Sequence, residues 1–165
     1  IGPREADRIW DRHLANCAAM QELVPAGASV IDIGSGAGLP GLVLSIVRPD
    51  LRVTLIEPLQ RRCDFLAQVV ADLELAVVIR RGRAQDVTIE RADVVTARAV
   101  APLAKLLTWA LPLAVPGGAV LAMKGSSAHS EISQAGPQLA GRRAEVLVCG
   151  AGYTEPPTTV VRVIS

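Results

Sequence analysis

The chain has 165 residues, half of them hydrophobic, and a formal net charge of +1. This length suffices for one domain with a sizeable core, and the near-neutral charge excludes binding of a polyanion through overall charge alone. No apolar run reaches the roughly 18 residues of a membrane helix, and the mixed-charge start IGPREADRIW is unlike a secretory signal, so we expect a cytoplasmic protein without membrane contact. Three isolated cysteines and two histidines predict neither a disulfide nor a metal site.

Short apolar runs alternate with segments of helical spacing, which is the pattern of a parallel sheet covered by helices on both faces. The predicted strands are Val30–Ile33, Val53–Ile56, Val77–Ile79, Val94–Val95 and Val120–Met123. The predicted helices are Arg4–Leu23, Leu39–Val47, Gln60–Leu73, Pro102–Leu113 and Ala128–Ala140. The sequence VPGG, Val115–Gly118, predicts a turn before the fifth strand. Trp109 has an apolar helical position, so we expect it in the core or an interface.

Two further predicted strands, Ala144–Cys149 and Thr159–Ile164, end the chain and are joined by the Gly/Pro-rich sequence GAGYTEPP. This connection is short for a parallel crossover, which needs a dozen or more residues, so it predicts an antiparallel hairpin. We therefore expect a seven-stranded, mostly parallel α/β sheet with an antiparallel last strand. A single domain is predicted over 1–165, with residues 1–25 as a helical lead-in and residues 26–165 as a Rossmann-like core.

The segment VIDIGSGAGLPG, at the end of the first strand, contains two overlapping glycine patterns. From Gly34 it is G-x-G-x-G, the loop of S-adenosylmethionine (SAM) methyltransferases, and from Gly36 it is G-x-G-x-x-G, the dinucleotide fingerprint. At Gly34, Gly36 and Gly38 the absent side chain lets the backbone approach a flat or anionic ligand closely. Glu57, at the end of the second strand, would accept hydrogen bonds from the ribose of either cofactor.

Two observations favour SAM over NAD. Asp32 stands two positions before the first glycine, which is usual near the methionine end of SAM and unusual before a dinucleotide fingerprint. A dehydrogenase would also need a nicotinamide half-site and a proton-transfer residue, whereas Tyr153 and His129 are the available downstream residues and both fall in segments interpreted as irregular or peripheral. An NAD-dependent enzyme on a related sheet is the alternative.

Arginines cluster near the carboxyl ends of the third and fourth strands, the edge at which open α/β sheets bind ligands. They are Arg80, Arg81, Arg83 and Arg98. Guanidinium groups there suit bidentate phosphate contacts, and a solvated rim is the alternative interpretation.

Five stretches, in order along nearly the whole chain, resemble the glucose-inhibited division protein B family. They are DRHLANCAAM, VIDIGSGAGLPGLVLSIVRPDLRVTLIEPLQRRCDFL, RGRAQD, VVTARAVAPL and LPLAVPGGAVLAMKG. Members of this family are methyltransferases G of the small ribosomal subunit RNA. The resemblance implies a Rossmann-like class I SAM-dependent methyltransferase that modifies N7 of one guanine in a decoding-region loop of 16S rRNA, within the 30S subunit, and that acts as a monomer.

The resemblance also implies roles for individual residues. It places SAM against Asp32, Gly34, Gly36, Gly38 and Leu39, its ribose on Glu57 and its adenine beside Ala84 and Gln85. Arg98 matches a position near the reactive end of the cofactor. Arg12 and His13 match the family's RH element and Lys124 its KG element, with roles in rRNA binding or in lining the site. Asn16, Cys17 and Gln85 differ from the Asp, Ser and Glu that the family often has at these positions.

The implied chemistry agrees with the lack of an acid–base pair in the sequence. Guanine N7 already presents a lone pair, so its methylation needs no general base, and alignment of the reactants is the main catalytic term. No catalytic residue is assigned, and Arg98, His13 and Lys124 are the expected positioning residues. A local basic rim would bind the RNA; its members are Arg12, His13, Arg80, Arg81, Arg83 and Lys124. The sequence also leaves open a small-molecule methyltransferase and a catalytically silent ribosome-binding module.

Overall fold

In the computed structural model, which describes residues 9–165 apart from the side chains of residues 11 and 12, seven strands form one sheet. The strands are β1 (Ser29–Ile33), β2 (Arg52–Glu57), β3 (Val77–Arg81), β4 (Ala92–Arg98), β5 (Ala114–Lys124), β6 (Ala144–Cys149) and β7 (Thr158–Ile164). Their spatial order is β3-β2-β1-β4-β5-β7-β6. Each strand that the sequence predicts is present.

The direction of the strands confirms the predicted topology. The pairs β1–β2, β1–β4, β2–β3 and β4–β5 are parallel. β7 pairs antiparallel with both β5 and β6. Six strands therefore run in one direction and β7 runs in the other, and the carboxyl ends of β1 to β5 meet at one edge of the sheet.

Six α-helices accompany the sheet in the described part of the chain. They are α1 (Ala15–Ala19), α2 (Gly41–Val47), α3 (Gln60–Asp72), α4 (Leu103–Ala110), α5 (Ala128–Gln134) and α6 (Gly136–Leu139). A π-helical segment, Ile9–Leu14, precedes α1, and 3-10 turns follow α1 (Met20–Leu23) and α4 (Leu111–Leu113). None of these helices is long and apolar enough to cross a membrane.

The predicted helix Pro102–Leu113 is α4 followed by a 3-10 turn, and three other helices also differ from the prediction. The predicted first helix, Arg4–Leu23, is helical from Ile9 onwards, and its earlier residues lie outside the described part. α2 begins at Gly41 instead of Leu39, because a residue that precedes proline disfavours the helical conformation. The predicted helix Ala128–Ala140 is two helices, since Pro137 has no N–H to donate to the preceding turn.

Two hydrophobic clusters fill the faces of the sheet. One packs α1, α2 and α3 against the strands and includes Leu44 and Leu66. The other packs α4, α5 and α6 against the strands and includes Leu107 and Leu139. The central strands are therefore covered from both sides, as the alternating pattern predicts, whereas β3 is partly exposed.

The predicted turn at Val115–Gly118 is wrong in its placement, because these residues belong to β5. Ala92 pairs with Ala114 and Val94 pairs with Ala119, so this segment is the excess on β5 opposite Asp93. These residues thus form a bulge within a continuous strand, whereas the sequence predicts a turn that precedes the strand.

Residues 82–91 connect β3 to β4, and the structure describes them without any helix. A crossover helix usually covers the sheet face at this point. Here an open cleft of about 890 Å³ lies against β2 and β3, lined by residues that include Thr54, Val78 and Arg80. Val78 is consequently 44% exposed.

Candidate functional site

The glycine loop (Gly34–Pro40) leaves the end of β1 and is held against the end of β2. The Gly34 amide donates a hydrogen bond to the Ile56 carbonyl at 2.8 Å. Gly34, Gly36 and Gly38 have φ values of +65°, +57° and +90°, a region that L side chains rarely adopt. The glycines are therefore required by the backbone itself, before any ligand is considered.

Glu57, the last residue of β2, is the side chain that fixes this loop. Its carboxylate is fully buried and accepts the Gly36 amide hydrogen at 2.9 Å through Oε2 and the Leu59 amide hydrogen at 2.9 Å through Oε1. The Arg62 guanidinium lies 3.6 Å from Oε2, and its side chain is 56% exposed. Since each carboxylate oxygen has a further lone pair, movement of Arg62 would let Glu57 accept hydrogen bonds from ligand hydroxyls.

Asp32 lies beneath the glycine loop and has no exposed surface. Its carboxylate accepts the Gly41 amide hydrogen at 3.1 Å and the Thr96 hydroxyl hydrogen at 3.0 Å. Burial raises the pKa of Asp32 to about 6, and the hydrogen bonds to the group act in the opposite direction. The structure thus places Asp32 as the support that joins β1, β4 and the start of α2, and not in a cleft.

Two clefts flank the glycine loop and share Gly34. The loop cleft has a volume of about 650 Å³ and brings together predicted site residues from distant parts of the sequence; its lining includes His13, Gly34, Gly36, Leu39 and Arg98. The inner cleft has a volume of about 320 Å³ and its lining includes Gly34, Ala84, Gln85, Val100 and Trp109. Together they form one elongated site across the carboxyl edge of the sheet.

The inner cleft has mainly apolar walls, which suit a flat aromatic ring. Trp109 lines this cleft as well as packing against the core, and the Lys105 ammonium lies 5.3 Å from the centre of its ring. The sequence motifs indicate Ala84 and Gln85 here but not Lys105 or Trp109. Lys105 and Trp109 belong to no motif, and a helix that bears both apolar and charged residues is typical of a protein surface.

Arg98 ends β4 and joins it to the beginning of the chain. Its Nη2 contacts Nδ1 of His13, and its Nη1 lies 3.2 Å from Sγ of Cys17. An arginine has donors only, so Nδ1 of His13 is the accepting nitrogen. Burial raises the pKa of the Cys17 thiol to about 11, although Arg98 acts in the opposite direction, so Cys17 is a neutral thiol near pH 7.

A third cleft, the outer cleft, adjoins the loop cleft and shares Arg98 and Ala99 with it. Its volume is about 650 Å³, and its other walls come from the ends of β5 and β7. Lys124 lines this cleft, with its ammonium 2.7 Å from Oε2 of Glu131 and 2.9 Å from the Ala101 carbonyl oxygen. Nothing in the sequence pattern indicates Glu131, because two of its partners, Leu103 and Lys124, lie in other segments of the chain.

The structure separates the arginines of the predicted basic rim. Arg80 and Arg81 are adjacent in β3, so their side chains leave opposite faces of the sheet, and Arg80 lines the open cleft beside β2 and β3. Arg83 lines the inner cleft. The side chain of Arg12 lies outside the described residues. The rim stays a prediction, and in this structure His13 and Arg83 are the members that line the two clefts flanking the glycine loop.

The site fits a nucleoside cofactor. A Cβ atom added to Gly36 would meet the Gly34 oxygen at 3.7 Å and the Arg62 side chain at 3.9 Å as its nearest neighbours, so the space above Gly36 is open on the ligand side. A Cβ added to Gly34 would lie 2.9 Å from Val100, so Gly34 is closed by packing. An open glycine next to a buried carboxylate at a strand end is the arrangement that ribose binding requires.

Comparison with known proteins identifies the family. A family model described as rRNA small subunit methyltransferase G (GidB) matches residues 1–153. The ribosomal RNA small subunit methyltransferase G of Salinispora tropica is 57% identical over 175 residues, which cover 99% of this chain and 72% of that protein. The protein of the same name from Thermobifida fusca is 58% identical over 168 residues, which cover 99% of this chain and 71% of that protein.

A solved structure agrees with the fold. The chain is similar to a methyltransferase from Pyrococcus furiosus with a TM-score of 0.70 and 15% sequence identity, over 88% of this chain and 78% of that one. The sheet order, the antiparallel β7 and this similarity confirm the predicted Rossmann-like fold of class I SAM-dependent methyltransferases.

Proposed function

The chain belongs to the rRNA small subunit methyltransferase G family, and from this premise we propose that it transfers the methyl group of SAM to N7 of one guanine in a decoding-region loop of 16S rRNA. Its substrate is the rRNA within the 30S subunit. It acts in the cytoplasm as a monomer, and residues 1–165 are one methyltransferase domain with a lead-in over 1–25 and a core over 26–165.

The observation that carries the proposal is that the glycine loop, Glu57 and Arg98 meet at one edge of the sheet. The hydrogen bond between Gly36 and Glu57 shapes the cofactor loop. Arg98, at the neighbouring strand end, separates the loop cleft from the outer cleft. One site for a nucleoside cofactor therefore adjoins a second site of similar size, which is what group transfer between two bulky molecules requires.

When bound, SAM supplies a methyl group on a positively charged sulfur. Gly34, Gly36, Gly38 and Leu39 would hold its middle, Glu57 its ribose hydroxyls, and Ala84 and Gln85 its adenine in the inner cleft. Asp32 supports the glycine loop from below through Gly41. The residues of the loop cleft would then present the reactive end towards Arg98 and Ala99.

The chain contributes alignment and not proton transfer. Guanine N7 carries its own lone pair, so holding the base in line at the boundary of the two clefts is the catalytic contribution expected of the protein. Arg98 uses donors on Cys17 and His13 and has further donors for an anionic group of the cofactor or RNA. This arrangement would also fix the helical segment that contains His13 and Cys17 over the site and exclude water.

Methyl transfer from isotopically labelled SAM tests the function directly. Purified 30S subunits and, separately, naked 16S rRNA are incubated with the protein, and the modified base is mapped. We expect label at N7 of a single guanine. Label on a different base would overturn the assigned position, and transfer to neither substrate, with transfer to a small molecule, would favour a small-molecule methyltransferase.

A matched pair of variants serves as the control. Glu57→Gln removes the charge of the cofactor-site carboxylate, and Glu145→Gln makes the same change in β6, where Glu145 pairs with Arg143 and Arg162. We expect Glu57→Gln to lose methyl transfer and Glu145→Gln to retain it. Equal activity of the two variants would place the cofactor elsewhere.

A further inference from the structure

The segment from Ala99 to Pro102, here named the β4–α4 segment, is the wall between two clefts. Ala99 lines both the loop cleft and the outer cleft. Val100 lines the inner cleft and packs so closely on Gly34 that a Cβ atom there would lie 2.9 Å away. The position of this segment therefore sets the relation between the glycine loop and the outer cleft.

A network centred on Glu131 of α5 holds this segment. Oε2 of Glu131 accepts the Leu103 amide hydrogen at 2.7 Å and lies 2.7 Å from the Lys124 ammonium. Lys124 in turn donates to the Ala101 carbonyl at 2.9 Å, and the Ser127 hydroxyl donates to Oε1 of Glu131 at 2.9 Å. The carboxylate thus binds the end of the segment directly and its middle through Lys124.

The segment contains a backbone conformation that needs such support. Ala99 has φ +53°, in the left-handed region, where a residue with a Cβ atom is strained. Strain of this kind persists only where the surroundings fix the backbone on both sides. Arg98 is bound to Cys17 and His13 before Ala99, and the Glu131 network fixes Ala101 and Leu103 after it.

The Lys124–Glu131 pair is mostly shielded from solvent, with side chains 11% and 17% exposed. Burial alone would raise the pKa of Glu131, but the hydrogen bonds from Lys124, Leu103 and Ser127 hold it below its usual value, so the group is ionised at neutral pH. Two of the three donors of Lys124 are directed at Glu131 and Ala101. In this structure the ammonium therefore binds the protein itself at two points.

We propose that Glu131, acting through Leu103 and Lys124, is a positioning residue for methyl transfer: it fixes the β4–α4 segment and thereby the distance between the cofactor in the loop cleft and the target base in the outer cleft. This assignment rests on the proposed function. It predicts that loss of the pair lowers kcat, because alignment is lost, and leaves the binding of SAM unchanged, because Glu57 and the glycine loop are intact.

The test uses Glu131→Gln, Lys124→Met and the double variant, with Glu145→Gln as the control. We expect kcat for 30S methylation to fall by about tenfold or more in each single variant and by no more than that in the double variant, since both residues act as one unit. The dissociation constant of SAM should stay within about twofold of the wild-type value. Lys124→Arg, which keeps the charge and reach, should restore most of kcat.

A second readout does not depend on the RNA. The Leu103 amide loses its acceptor in Glu131→Ala, because the whole carboxylate is removed, so its hydrogen exchange in the free protein should accelerate by about tenfold, while the exchange of β1 amides stays as in the wild type. The control Glu145→Ala should leave Leu103 exchange unchanged. Unchanged Leu103 exchange in Glu131→Ala would overturn the proposal.

Failure of the proposal and failure of the proposed function give different results. A wild-type protein that transfers no methyl group to 30S subunits overturns the proposed function. An active wild-type protein whose kcat is unaffected by Glu131→Gln overturns the positioning role alone. So does a Lys124→Met variant with normal kcat and a flatter salt dependence of binding, because it would make Lys124 a phosphate contact.

Discussion

Glu57 and Gly36 are joined by a hydrogen bond of 2.9 Å although they lie 21 positions apart in the sequence. Because the same carboxylate also accepts the Leu59 amide, Glu57→Ala removes two acceptors and the group that would receive the ribose hydroxyls. We expect a loss of about 1.5–3 kcal/mol in SAM binding, which is on the order of 10- to 150-fold in affinity. Calorimetry with SAM and with NAD measures it; heat from NAD and none from SAM would reverse the choice of cofactor.

The substitutions Gly34→Ala and Gly36→Ala distinguish a glycine required for packing from a glycine that leaves space for the cofactor. Both glycines have positive φ, so both substitutions share a strain of roughly 1 kcal/mol. At Gly34 the new Cβ also lies 2.9 Å from Val100, whereas at Gly36 it meets no protein atom closer than 3.7 Å. Gly34→Ala should therefore lower Tm more, while Gly36→Ala should fold and lose SAM binding. Thermal unfolding with and without SAM distinguishes them, and a SAM-induced rise in Tm for Gly36→Ala would contradict a cofactor site above Gly36.

Asp32 should make folding stability depend on pH. Its pKa is raised to about 6 in the folded protein, so the folded state is favoured relative to the unfolded chain below pH 4, and this contribution is lost as pH rises through 6. Asp32→Asn does not titrate. As the pH rises from 4 to 7, the free energy of unfolding of the wild type should therefore fall by roughly 3 kcal/mol relative to that of the variant. Urea unfolding at both pH values measures the difference, which should be constant if Asp32 has an ordinary pKa.

Charge reversal at Arg83 should weaken rRNA binding more than SAM binding. Arg83 is exposed and lines the inner cleft, where a phosphate contact would release counterions. Arg83→Glu should raise KM for 30S subunits and reduce the salt slope by about 1 per lost contact. Arg143→Glu is the matched control, since Arg143 is 75% exposed beside β6 at the other edge of the sheet. Equal salt slopes for both variants and the wild type would place the RNA on another surface.

Arg98→Ala should have the converse effect. Arg98 lines the loop cleft and holds Cys17 and His13. Its loss should therefore lower SAM affinity or kcat while the salt slope for 30S binding stays as in the wild type. Calorimetry measures the affinity for SAM, and titration of 30S methylation against salt concentration, with SAM at saturation, measures kcat and the salt slope. A flatter slope in this variant would instead make Arg98 a phosphate contact.

The fold could be predicted from the sequence because its strands are short apolar runs with clear punctuation. β1, β2, β6 and β7 agree with the prediction to within one residue at each end. The start of β5 could not be predicted, because Val115–Gly118 has the composition of a turn, while the residues on either side of it, Ala114 and Ala119, pair with β4. Tertiary pairing here overrides local preference.

The site is predictable only where one motif carries it. The glycine loop and Glu57 lie at consecutive strand ends, so spacing alone places them together. The same spacing suggests Asp32 as a ligand contact, whereas its depth beneath the loop depends on Gly41 and Thr96. Glu131 is not predictable, since its contacts come from segments that meet only after α4 and α5 pack together.

The outer edge of β3 affects how copies of this protein behave towards one another. β3 ends the sheet on one side, so part of its backbone is available for pairing, and Val78 of this strand is 44% exposed. Edges of this kind recruit strands from other molecules. Arg80 and Arg81 place positive charges on this edge, and two copies that brought their β3 strands together would repel. Arg80 and Arg81 therefore oppose self-association through β3. A variant with neutral residues at both positions would become prone to aggregate at high concentration.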